Sequence, residues 1–150
     1  MKKFAYSLQG LKFGDILSEL MFENNITNKA LAKLINITES TICTWRNNEH
    51  GIQLSNLVKL CTLFNCSLDY LVGRTENNIK PTKMIVENFG KRIREVMKQK
   101  NVTTYSIRQD TPFGSRYFER WDKGADPKLS TLIDLANYFN CTLDELVGFE

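Results

Sequence analysis

Apolar residues along the chain recur at intervals of three and four rather than in alternation, the spacing of helices that bury one face. Phe13, Ile16, Leu17 and Leu20 mark a first helix that stops at Glu23-Asn24-Asn25. Thr27 stands where its hydroxyl can cap a second helix carrying Leu31, Ala32 and Leu34. Asn36 follows, a residue that tolerates positive φ and suits a tight turn. Thr38 opens a third helix with Ile42 and Trp45 on its inner side. Beyond the polar stretch 47–51, Leu54, Leu57, Val58, Cys61 and Phe64 form a fourth. Ser67 then caps a short helix holding Leu68, Leu71 and Val72. No segment shows a strand's alternation, so the pattern predicts an all-α fold.

The same pattern is written twice. FNCSLDYLVG at 64–73 returns as FNCTLDELVG at 139–148, and from Leu54 to Gly73 an offset of 75 gives twelve identities in twenty positions. Upstream the offset is 76 and pairs Phe13-Gly14 with Phe89-Gly90, Met21 with Met97, Thr27 with Thr103 and Trp45 with Trp121. A shared order with one gap in a polar loop predicts two copies of one domain. The boundaries expected are 1–75 and 84–150, with a polar linker at 76–83 that contains Pro81. In the second copy TLDE, 142–145, reads as a capping box in which Thr142 and Glu145 satisfy each other's end amides.

Composition narrows the classes of function. Apolar residues at 42% and charged residues at 25% describe an ordinary globular chain. No apolar run approaches the roughly 18 residues that cross a bilayer, and Lys12, Asp15 and Glu19 interrupt any leader-like core near the start. A cytoplasmic protein is expected. Cys43, Cys61, Cys66 and Cys141 form no C-x-x-C pair, and His50 is the sole histidine, so no metal site is expected. Cys66 and Cys141 hold equivalent places and read as small buried hydrophobes. With no glycine-rich phosphate loop and no nucleophile motif, catalytic residues and cofactors are not expected. The net charge is only +3, but residues 89–123 hold nine Lys and Arg against four acids, which suggests a basic face on the second half.

The stretch TNKALAKLINITESTICTWRNN, 27–48, resembles the helix-turn-helix of the Cro and phage-repressor family, the XRE-like transcriptional regulators. Thr27, Leu31, Ala32, Ile37, Ile42 and Trp45 fit its order, with Asn28 in place of the usual Gln and Asn36 in place of the turn Gly. The resemblance implies two tandem five-helix, lambda-repressor-like domains that bind double-stranded DNA. It also implies roles. The second helix points its amino-terminal amides at a phosphate, with Asn28 and its counterpart Thr104 on the backbone. The third helix enters the major groove and offers Thr38, Glu39, Ser40, Thr44 and Asn47, with Glu39, Ser40 and Thr44 reaching base edges. In the second copy Ser115, Arg116, Arg120 and Lys123 occupy the outer side, and arginine is the usual partner of guanine.

The second copy departs from the pattern. Pro112 replaces Asn36 and cannot take positive φ, and it should drive Thr111 out of the helical region. Arg108 replaces Ala32 where the family packs its second and third helices closely, so either that helix shifts outward or Arg108 snorkels past the contact. The family's first-helix Arg, paired with a Glu after the aromatic, is expected to be lost to Met21 and Met97, with Arg46 in the Glu position and Asp122 only partly retaining it.

These readings converge on a sequence-specific transcriptional regulator, with a repressor expected. Its partner would be operator DNA, bound by a homodimer or by an intramolecular pseudo-dimer with half-sites about 34 Å apart. The alternative is a protein-interaction or antitoxin-like module whose second domain binds a partner rather than DNA.

Overall fold

Ten helices occupy residues 13–47, 51–84 and 88–149, the residues described by this computed structural model. The start at 1–12, Lys12 included, and the loop residues 48–50, His50 among them, lie outside the described residues. The first copy supplies α1 (Phe13–Glu23), α2 (Asn28–Ile35), α3 (Glu39–Arg46), α4 (Leu54–Phe64) and α5 (Leu68–Leu71). The second supplies α6 (Phe89–Gln99), α7 (Thr104–Asp110), α8 (Ser115–Asp122), α9 (Leu129–Phe139) and α10 (Leu143–Val147). The fold is all-α, two tandem five-helix units, with no strand among the described residues.

Hydroxyl caps and asparagine turns set the boundaries. Thr27, Thr38, Ser67, Thr103 and Thr142 each accept from an amide in the first turn of the helix they precede. Such a cap contributes about 1 kcal/mol. Asn25, Asn36, Asn65, Asn101 and Asn140 all adopt positive φ, between 52° and 58°. Four of these are two equivalent pairs; Asn36 stands alone because its counterpart is Pro112. There the chain turns differently, and Thr111 is extended at φ −135°, ψ 164°, as a residue before proline should be. In the expected capping box, Thr142 accepts from Glu145, but among the described hydrogen bonds Glu145 does not return one; its carboxylate lies 3.9 Å from Lys100 instead.

One expected core residue is misplaced. Leu34 is 59% exposed, and Ile35 takes the inward position beside Leu31 and Ala32. Those three lie at i, i+1 and i+4, which is one helical stripe; Leu34 sits a turn-third away from it. Ile16, Val58 and Phe64 are half-buried, and the remaining anchors are buried as expected, among them Ile42, Leu54, Leu57, Leu68 and Leu71. Cys61, Cys66 and Cys141 are buried with them.

The copies meet along a polar seam inside which equivalent backbone segments pair. Gln53 and Lys128 form an antiparallel bridge; the amide of Leu54 donates to the carbonyl of Pro127 at 2.8 Å, and that of Leu129 to Ile52 at 2.8 Å. Further along, the carboxylate of Asp69 accepts from the amides of Leu143 and Asp144, while that of Asp144 accepts from the amides of Leu68 and Asp69. Each short fifth helix is thus capped by the other copy.

Candidate nucleic-acid interface

In the first copy α3 is clamped from below. Ile42 is fully buried and Trp45 is 4% exposed, and α3 packs on both α1 and α2. That inward fixation leaves Thr38, Glu39, Ser40, Cys43 and Asn47 exposed and Thr44 half-buried. Thr38 is partly spent as a cap, sharing its oxygen with Thr41 at 2.8 Å. The Thr44 hydroxyl donates back to the Ser40 carbonyl at 3.1 Å, so it faces outward chiefly as an acceptor and a methyl group. Glu39 and Ser40 are the least constrained of the expected readers.

Asn28 has a role that the sequence pattern did not reveal. Its side-chain oxygen accepts from Arg46 at 2.6 Å, and its amide points to Cys43 at 3.4 Å. It therefore bolts the start of α2 to the end of α3. Arg46 simultaneously donates to Ser18 on α1 at 3.0 Å, so one guanidinium ties three helices together.

The second copy keeps the anchor and loosens the pair. Trp121 is 3% exposed and packs edge-on to Phe89 and Phe118, at 5.1 Å between ring centres in each case. Outward from it, Ser115, Arg116, Glu119, Arg120 and Lys123 are all exposed. The helix before it does not seat as α2 does: α6 packs closely on α8, but α7 stands off. A cavity of about 180 Å³ opens there, lined by Arg94, Thr104, Arg108, Gly114, Phe118 and Asp122 among others. Arg108 is exposed, with its stem over Gly114. Both consequences of placing an arginine at the Ala32 position are present, the outward shift and the snorkelling side chain.

In the second copy the structure corrects the expected loss of the first-helix arginine; in the first the loss stands, with Ser18 at the equivalent place. Met21 and Met97 are core residues, and the arginine sits one turn earlier, at Arg94, where it forms a two-pronged ion pair with Asp122. A turn's shift along the same helix face preserves the reach, which spacing by identity with the methionines concealed. Arg92 is also structural, donating to the carbonyls of Glu145 and Leu146 at the end of α10 at 2.6 and 3.2 Å. The basic surplus of 89–123 is therefore partly internal, while Arg108 on α7, Arg116 and Arg120 on α8 and Lys123 just beyond it are exposed. Two aromatic side chains, Tyr105 at 68% and Tyr117 at 37% exposure, stand among them. Neither was expected, because a periodicity argument assigns aromatics to the core.

Among the described residues no group of three potential metal ligands gathers, and no helix is long and apolar enough to cross a membrane. An exposed, inwardly anchored helix bearing hydroxyls, an acid and arginines matches what reads base edges in a major groove.

Comparison with known proteins points the same way. Residues 16–76 and 92–150 each match the family model of the Cro/C1-type HTH DNA-binding domain. No curated protein and no solved structure matches the chain.

Proposed function

The chain belongs to the Cro/C1-type helix-turn-helix DNA-binding family, and from that premise we propose that it is a sequence-specific transcriptional regulator, acting as a repressor of the genes beside its operator. It works in the cytoplasm without a cofactor and without catalysis. The observation that carries the reading is the pair of tryptophan-anchored helices, α3 and α8, each with its far side exposed. On this reading Glu39, Ser40 and Thr44 meet base edges in one half-site, and Ser115, Arg116 and Arg120 in the other. Thr38, Asn47, Thr104 and Lys123 serve the sugar-phosphate backbone, where contacts fix register. Asn28, held by Arg46, acts on the phosphate through the orientation it gives α2.

A second reading, that the second copy binds a protein partner, is favoured by the gap between α7 and α8, which changes how a duplex would meet them. Salt titration separates the two. Arginine charge set against the phosphates releases counterions, so affinity falls steeply with salt. Arg116→Ala with Arg120→Ala is expected to weaken binding to a selected operator at least tenfold and to flatten the salt slope. Unchanged affinity and slope would transfer the second copy to the partner-binding reading.

A further inference from the structure

The seam between the copies is isologous in form. Leu54 and Leu129, Ile52 and Pro127, Asp69 and Asp144 are equivalent positions at the offset of 75, and in each case both directions of the contact are made. Residue i meeting j while j meets i is the mark of a two-fold interface. Here it joins unlike copies within one chain.

Other contacts across the seam run one way only. Asp126 accepts from the amide of Ser55 at 3.0 Å and from its hydroxyl. The counterpart of Asp126 is Gly51, which has no side chain to offer Ser130. Arg74, paired within its own copy with Asp69 at 3.1 Å, donates across the seam to the side chain of Asn137 at 3.0 Å and the carbonyl of Cys141 at 3.3 Å. Its counterpart is Phe149, whose side chain has no donor. Two first copies paired together would lack Asp126; two second copies would lack Arg74. Specificity between pairings is a difference of this kind. The connecting segment reinforces the choice, since Asn78 accepts from the amide of Ser67 at 3.1 Å and holds the linker against the start of α5. A short tether raises the effective concentration of its two ends to about the millimolar range.

We propose that the chain is its own dimer: the first copy takes the second copy of the same chain as partner, and one chain occupies one asymmetric operator with two unlike half-sites in fixed order. The proposal rests on the DNA-binding reading above. The paired segments at 52–54 and 127–129 follow closely on α3 and α8, so both readers flank the internal dyad. Half-site centres then lie about one helical turn apart, roughly 34 Å. The half facing Arg116 and Arg120 carries guanines; the half facing Glu39, Ser40 and Thr44 does not repeat it.

The test combines the mass of the complex with selection from a random duplex pool, using the full chain. One chain per duplex and an enriched site with two dissimilar halves are the expected result. Replacing either half by a copy of the other should then weaken binding at least tenfold. Asp126→Ala with Arg74→Ala, which removes only the one-way contacts, should lower affinity for the composite site several-fold more than for either half-site alone. Recovery of a palindrome carrying two chains, or a domain-exchanged pair of chains on DNA, would overturn the inference while leaving the regulator reading intact. No enriched sequence at all would remove both, and a single-chain mass in free solution would then support only the seam.

Discussion

Arg94 grips Asp122 at the place where, in the first copy, Ser18 accepts a 3.0 Å hydrogen bond from Arg46. Both contacts join the first helix of a copy to the end of its third, and the two pairs are equivalent at the offset of 76. The mechanical job is the same, but the charge is not. In the second copy the arginine is neutralised; in the first, a full positive charge stays at the end of α3, where it also holds Asn28. Because Arg94 and Asp122 are each nearly half exposed, their coupling is expected to be about 0.5–1 kcal/mol. A double-mutant cycle with Arg94→Ala and Asp122→Ala under urea measures it, and a coupling well above that would mean a drier site.

The contact between α6 and α8 depends more on closeness than on charge. A Cβ at Gly90 would lie 2.7 Å from the backbone nitrogen of Asp122 and 2.9 Å from its Cα, and backbone cannot yield as a flexible side chain can. Gly90→Ala is expected to cost about 1–3 kcal/mol. Gly51→Ala serves as the control, since nothing lies within 4 Å of its Cβ and the change should stay within about 0.5 kcal/mol. Urea unfolding of the two variants side by side decides the matter; equal losses would show that the helices can separate freely.

Much of this architecture was legible because it is written in local signals. A hydroxyl before an apolar stripe and an asparagine after one mark the ends of a helix, and the repeat confirmed the reading by giving it twice. The site was legible to the extent that Trp45 and Trp121 fix which side of each third helix faces out. Three features were not. Leu34 follows helical spacing but lies outside the buried stripe, which the packing of α2 against α3 and α4 determines. Asn28 was expected to face phosphate, yet Arg46 reaches it from eighteen residues away. Asp69 and Asp144 look like ordinary first-turn acids, and their identity in both copies was the available clue, but that each caps the other copy's helix depends on tertiary pairing.

Those crossed caps make a direct prediction. Asp69 is 6% exposed and serves the amides of Leu143 and Asp144 as well as Arg74. Asp69→Ala leaves two amides without an acceptor and takes from Arg74 its anionic partner, for a loss of about 2–4 kcal/mol. Hydrogen exchange at Leu143 and Asp144 should accelerate far more than at Leu132 in α9. Uniform acceleration would indicate that the seam and the domain cores unfold as one unit.

Glu39 offers a test of readout that is independent of arginine. An acid facing DNA lowers general affinity and is retained with profit only where it accepts from a cytosine amino group. Glu39→Gln is therefore expected to raise affinity for random duplex while reducing discrimination at one operator position by about 1–3 kcal/mol. Binding to the four base variants at each position measures this. An unchanged preference at every position would place Glu39 outside the interface.

Asp134 supplies the prediction on pH. It is 1% exposed, and both of its carboxylate oxygens lack a hydrogen-bond partner among the described residues. Its counterpart Lys59 donates to the carbonyl of Ile35 at 3.2 Å and so caps α2, a service that an acid cannot give. Burial pushes the Asp134 carboxyl up to about 6. The folded chain consequently holds that proton more tightly than the unfolded chain, where an aspartate titrates near 3.9. The stabilisation is complete below about pH 4 and is lost as pH rises through about 6. Asp144, pushed up to about 7 by burial and by its neighbour Asp69, acts in the same direction over a slightly higher range. Stability should therefore decline between about pH 4 and 7, where many proteins are at their most stable. Asp134→Asn is expected to match the parent at pH 4 and to exceed it by about 1–3 kcal/mol at pH 7.5, because it removes an unpaired buried charge. Urea denaturation at pH 4, 6 and 7.5 gives the comparison. A variant weaker than the parent at every pH would mean that the carboxylate has a partner in solution and that its burial is not the source of the strain.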